Sequence, residues 1–230
     1  MAHDMADTEI PATPAKAPRT GRAKPAPTPE PKAAPDRFMI EERVVDAALA
    51  LAAERPWEEV ALADIAGRAE LGLSDLYPRL GSRGLILEAF ARRVEARMLA
   101  GDTADLAGER PRDRLFDALM ARFDVLLPYR DGLRSILATL SRDPLAAFGQ
   151  LRALDRSMAW TLEAAGIAAA GWRGRLKVRA LGSAYLRVLR IWLDDGPDQA
   201  RTMAELDRLL VRLEGMAGRF GLVGRSHNPG

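Results

Sequence analysis

The sequence predicts an all-α protein, and three observations predict it. Ala, Leu and Arg dominate the composition while aromatics are only 6%, and unbranched side chains lose little rotamer freedom in a helix. Apolar residues recur at spacings of three and four through most of the chain, the period of a helix with one buried face. No segment alternates apolar and polar residues between turn signals, so no sheet is expected. Hydrophobic residues make up 48% of the 230 positions, enough for a packed core.

Residues 1–37 differ from the rest of the chain. Pro recurs at 11, 14, 18, 25, 27, 29, 31 and 35 among Ala, Thr and Lys. Proline removes backbone donors, and few large apolar residues are present to bury. A disordered arm is expected there. Lys16, Arg19, Arg22, Lys24 and Lys32 stand against Glu30, so the arm is either a solvated linker or a grip on phosphates beside a DNA-binding domain.

Helical periodicity starts next. Val44, Val45, Ala48, Leu49 and Ala52 mark the first helix, which breaks at Arg55-Pro56-Trp57. Leu62, Ile65, Ala66 and Ala69 mark a short second helix, and Leu73 to Leu80 a short third. Gly81-Ser82 ends that segment, and Ser82 can cap a fourth helix carrying Leu85, Ile86, Ala89, Phe90 and Val94. Beyond residue 100 the helices lengthen. Leu115, Leu119, Phe123 and Leu126 form a stripe ending at Pro128, and a short helix covers 132–140. Asp143-Pro144 starts the next, which stops at Gly166. Leu181, Ala184, Tyr185, Val188 and Trp192 line another, and Met203, Leu206, Leu210 and Leu213 line the last. The expected division is an arm over 1–37, a small head over 38–100, a larger body over 101–217 and a frayed tail over 218–230.

Composition excludes several chemistries. With 0 Cys there are no disulfides, thiol nucleophiles or Cys-ligated metals. The 2 His, His3 and His227, lie near the chain ends, so a His-based triad or metal cage is not expected. Walker, GxGxxG and HExxH patterns do not occur. No catalytic residue, metal ligand or cofactor site is expected, and the chain reads as a non-enzyme. No long uncharged apolar stretch suggests a transmembrane helix, and Asp4, Asp7 and Glu9 argue against a secretory leader. The expected compartment is the cytoplasm, without stable membrane insertion.

The span from Leu62 to Leu80 is a helix-turn-helix candidate. Its third segment would present an outer face to a major groove. Leu73, Ser74 and Asp75 open that segment, and none is a good reader of guanine. Tyr77, Arg79 and Arg83 can supply phosphate contacts, and the helix start at Ser82-Arg83 can hold another phosphate. Two residues disturb the pattern. Glu70 stands in the turn, where a positive φ would be costly, so a turn of different shape is expected. Pro78 lacks the N–H that would reach Ser74 and should kink or end the third segment.

The run RVVDAALALAAERPWEEVALADIAGRAELGLSDLYPRLGSRGLILEAF, Arg43 to Phe90, resembles the DNA-binding head of TetR-type transcriptional regulators. The matching positions are Ile65-Ala66, Ala69, Leu76-Tyr77, Leu80 and Ser82-Arg83. The resemblance implies a homodimer whose two heads read palindromic operator DNA, with a ligand in the body changing the head spacing. A second resemblance lies in the body. LLPYRDGLRSIL, Leu126 to Leu137, and RALGSAYLRVLRIWLDDGPDQARTMAELDRLL, Arg179 to Leu210, look like the coenzyme Q biosynthesis lipid-binding proteins. That family shares the TetR-like architecture, has a vestigial head, and ends in an amphipathic membrane helix. Gly218 to Gly230 is too short and Gly-rich for such a helix.

Two sets of body residues are further candidates. Phe123, Phe148, Met158, Trp160, Tyr185 and Trp192 either line a cavity for an apolar small molecule or pack as ordinary core. Tyr185, Val188, Leu206, Leu210 and Leu213 either pair the last two helices with a second copy or pack within one chain.

Overall fold

Residues 37–100 and 108–219 are described by a computed structural model, and the secondary structure within them is helical throughout. The expected all-α class holds. Four helices make the head: α1 (Arg37–Glu54), α2 (Leu62–Arg68), α3 (Leu73–Leu80) and α4 (Arg83–Leu99). Five make the body: α5 (Pro111–Leu126), α6 (Arg130–Arg142), α7 (Pro144–Ala164), α8 (Gly171–Leu193) and α9 (Ala200–Arg219). Apart from Arg37, which starts α1, the expected arm lies outside the described residues. So does the tail beyond Arg219, while Gly218 and Arg219 extend α9.

Punctuation explains the boundaries. Pro56 ends the first helical run and opens a 3₁₀ turn at Trp57–Glu59. The Asp143 carboxylate accepts from the N–H groups of Leu145 and Ala146 at 3.1 and 3.0 Å, and Pro144 holds the first helical position of α7. A capping acid followed by proline satisfies orphan donors and presets φ. Gly166 closes α7 with φ +75°, the N–H of Ile167 reaching the Leu162 carbonyl and that of Gly166 the Glu163 carbonyl. This is a Schellman turn with glycine in the left-handed position.

Head and body share one core. Val44, Ile65, Leu76, Leu80 and Ile86 of the head join Leu119, Phe123, Met158, Leu181 and Trp192 of the body in a single buried cluster. Helix α1 lies against α6, and α4 against α5 and α7. The α1–α6 crossing is tight enough to require glycine. A Cβ on Gly132 would sit 2.6 Å from the Leu49 carbonyl oxygen. At the far side α8 packs against α7 and α9.

Candidate nucleic-acid interface

Helix α2 is held at both ends. The Asp64 carboxylate accepts from the Ala61 N–H at 3.1 Å and from Arg55. At its C-terminus the Leu71 N–H bonds the Ala66 carbonyl at 2.9 Å, and the Glu70 N–H bonds the Gly67 carbonyl at 3.1 Å. That is the same Schellman turn as at Gly166, with Glu70 at φ +53° in the left-handed position. The expectation of a differently shaped turn is corrected. Arg43 supplies the compensation: its Nη2 donates to the Ala69 carbonyl and lies 3.4 Å from the Glu70 carboxylate. The backbone from Ala66 to Leu71 therefore keeps the helix-turn-helix geometry although a non-glycine residue carries the strain.

Helix α3 also departs from expectation. It continues to Leu80 with Pro78 inside it, so proline neither ends nor replaces it. Pro78 removes the donor to the Ser74 carbonyl, but Ser74 is exposed and water can serve that oxygen. Leu76 and Leu80 are fully buried and anchor the helix from below. Leu73, Ser74, Asp75 and Tyr77 are all exposed, Tyr77 by 74%. Arg79 donates to the Asp75 carbonyl at 3.0 Å, along its own helix.

Ser82 caps α4 as expected, its hydroxyl accepting from the Leu85 N–H at 3.2 Å. Arg83 is partly committed elsewhere. Its Nη1 donates to the carbonyls of Trp57 and Glu58 at 2.7 and 3.2 Å, and its guanidinium lies over the Trp57 ring. Trp57 is buried, and its backbone N–H donates to Ser135 Oγ at 2.9 Å. Arg83 thus fastens the 3₁₀ turn to α4. An open groove of about 440 Å³ runs beside it, lined by Glu58, Glu59 and Ser82.

Charge is distributed unevenly. Residues 37–100 hold nine arginines against eleven carboxylates, whereas 101–230 hold twenty cations against sixteen. Six of the nine head arginines face acids: Arg43 meets Glu70, Arg55 meets Asp64, Arg68 meets Glu54, Arg92 meets Glu41, Arg93 meets Glu42 and Asp46, and Arg97 meets Glu42. The hydrogen bond from Arg68, with that cation's charge, holds the Glu54 carboxyl below the usual carboxylate range.

In the body the structure divides the expected ligand set. Phe123, Met158 and Trp192 are fully buried and Tyr185 nearly so. The Phe123 ring stacks on Tyr185 and lies against Trp192, each at 5.6 Å between centroids. Phe148 and Trp160 do not join them, being 63% and 56% exposed on α7. Helical position turns both away from the core. The dimer set is corrected as well. Tyr185, Val188, Leu206 and Leu210 are buried within one chain, because α8 and α9 close their apolar faces on each other and on the core. Leu213 alone stays half-buried.

Sequence reasoning misses Arg122. It is 5% exposed in the middle of α5. A signal exists: it falls on the stripe of Leu115, Leu119 and Leu126, where an apolar residue is expected. Arg130 escapes in the same way. It stacks over Trp192 at 4.6 Å and donates to the Asp195 carbonyl at 3.0 Å, joining α6 to the loop before α9.

No family model matches the chain, and no curated protein does. Solved structures do. A TetR transcriptional regulator from Nitrosomonas europaea ATCC 19718 is 24% identical, with a TM-score of 0.62 over 76% of this chain and 98% of that one. A TetR transcriptional regulator from Rhodococcus sp. RHA1 is 19% identical, with a TM-score of 0.58 over 76% of this chain and 95% of that one. The described residues of this chain therefore have the fold of the TetR transcriptional regulators.

Proposed function

We propose that the chain is a cytoplasmic DNA-binding transcriptional regulator. It works as a homodimer whose two α3 helices read a palindromic operator, and a small molecule held in the body releases or retunes it. The observation that carries this reading is the turn at Glu70. A residue ill-suited to φ +53° holds the complete Schellman geometry there, which keeps α3 seated on Leu76 and Leu80 with its other face outward. Strain of this kind persists where the surroundings over-determine it. Asp75 can accept from a cytosine amino group in a major groove. Ser74, Tyr77 and Arg79 serve as phosphate contacts, and the capped start of α4 at Ser82 as another. The outward faces of α8 and α9, with Leu176, Met203 and Val211 exposed on them, supply the dimer contact.

One observation favours a second reading, a lipid- or isoprenoid-binding accessory protein with a vestigial head. Carboxylates outnumber arginines in the head, and Glu58 and Glu59 stand beside the start of α4. Fluorescence anisotropy with duplex DNA separates the two. Under the regulator reading Tyr77→Phe weakens binding to all sequences alike by a few-fold, as a phosphate contact does, and Asp75→Ala alters sequence preference. Removal of residues 1–37 flattens the salt dependence if the arm grips phosphates. Sequence-blind binding that salt erases, with lipid recovered from the purified protein, supports the second reading instead.

A further inference from the structure

We infer that the small molecule held in the body is an apolar monocarboxylic acid whose carboxylate docks on Arg122. The inference rests on the reading that the body takes a small molecule and names its chemical class. Arg122 is buried on α5, and among the described residues no carboxylate lies within ion-pair distance of it. Its partners are all neutral. Nε donates to Tyr185 Oη at 3.2 Å, and Nη1 donates to Ser157 Oγ at 2.7 Å. The guanidinium also lies over the Tyr185 ring, 5.1 Å from its centre. A buried cation without a counter-ion is costly, and hydroxyl partners offset only part of that cost.

Donor accounting sharpens the class. A guanidinium offers five N–H donors and no acceptor. The two hydroxyls that accept from it each keep a proton of their own, and neither donates to an acceptor among the described residues. Arg122, Ser157 and Tyr185 therefore converge from α5, α7 and α8 as a cluster of donors with no anionic acceptor among the described residues. A carboxylate supplies that acceptor, with geometry matched to the guanidinium fork. An alcohol offers only a neutral acceptor without the fork geometry, and an ammonium offers none.

Met98 holds the place such an oxygen would take. Its sulfur lies 3.8 Å from Arg122 Nη1, and a thioether is a weak acceptor on a flexible side chain. Rotation of Met98 away from Nη1 opens the position to an incoming oxygen. Phe123, Met158 and Leu162 are buried members of the same apolar core, the kind of surroundings a hydrocarbon tail takes.

Calorimetric titration of the full chain with octanoate, octanol and octylamine tests the inference. Octanoate binds, and octanol and octylamine bind more weakly by a factor on the order of 10–100, the worth of hydrogen bonds to a charged group. Arg122→Met abolishes octanoate binding. Ser157→Ala and Tyr185→Phe keep the buried charge and each weaken octanoate several-fold, so they test the site independently of Arg122→Met. Octanol binding as tightly as octanoate overturns the inference. So does undetectable octanoate binding, or unchanged affinity in Ser157→Ala and Tyr185→Phe. DNA binding measured without any acid reports on the regulator reading separately, so failure of one leaves the other tested on its own readout.

Discussion

Arg93 in the head and Arg122 in the body are buried almost equally, at 8% and 5% exposure, yet their surroundings are opposite. Arg93 sits between two carboxylates, with Nη1 at 3.1 Å from Glu42 and 2.7 Å from Asp46, and lies over the Phe90 and Tyr129 rings. Burial works against its charge, but the bonds to Asp46 and Glu42 outweigh burial and its pKa lies above the ordinary arginine value. Arg122 meets only hydroxyls, an aromatic face and a thioether. The first arrangement ties α1 to α4. The second leaves a charge that folding alone does not match. Burial by itself therefore does not tell whether an arginine's charge is matched by carboxylates, whereas the identity of its acceptors does.

The largest effect on this comparison is expected at Arg122. Replacing an unmatched buried ion by an apolar side chain of similar length is often stabilising, so Arg122→Met should raise stability by about 2 kcal/mol in urea titration. A loss of similar size would make Arg122 a structural residue like Arg93. The opposite sign is expected in the head. Arg93→Met strands Glu42 and Asp46, but Asp46 is largely in water, so the expected loss is about 1–2 kcal/mol. An unchanged midpoint would erase the contrast between the two sites.

The two Schellman turns give a smaller test. Gly166 and Glu70 occupy equivalent left-handed positions. Glu70→Gly removes the Cβ strain and should stabilise by about 1 kcal/mol. The ion pair it loses with Arg43 is exposed and contributes little. A destabilised variant would mean that Arg43 and Glu70 together define the turn more than backbone freedom does.

The smallest effect concerns acid. Glu205 is buried between Arg187 and Arg208, and the hydrogen bond from Arg187 lowers its pKa from the ordinary value of 4.5 against the opposing effect of burial. A carboxyl with a lowered folded pKa binds protons more readily when unfolded. Its contribution is full above 4.5 and is lost as pH falls through the lower folded value. Glu205→Gln should flatten the fall of Tm in that acidic window. An identical slope in both proteins would remove Glu205 from the acid response.

The helices are legible in the sequence because their faces and punctuation agree. The stripe of α5, the Asp143-Pro144 start and the Gly166 stop all reappear in the structure, and the α9 stripe does so at Leu206 and Leu210 while Met203 turns outward. Local rules misjudge α2 and α3. Glu70 and Pro78 each oppose the local backbone, and burial of Leu76 and Leu80 with the Arg43 bond overrides both. The partners of a side chain from distant helices are not legible. Periodicity places Val188, Leu206 and Leu210 on apolar faces but does not say which helix covers them. Arg122 escapes a reading of the sequence because its neighbours Ser157 and Tyr185 lie 35 and 63 positions away.

Footprinting of the full chain on a pool of duplexes that includes its own upstream region tests the central claim most directly. The account predicts a protected palindromic segment, with α3 variants such as Asp75→Ala losing or shifting the protection. Uniform weak protection that follows salt and ignores sequence, unchanged in Asp75→Ala, would contradict it and leave the helix-turn-helix as a retained shape without a reading function.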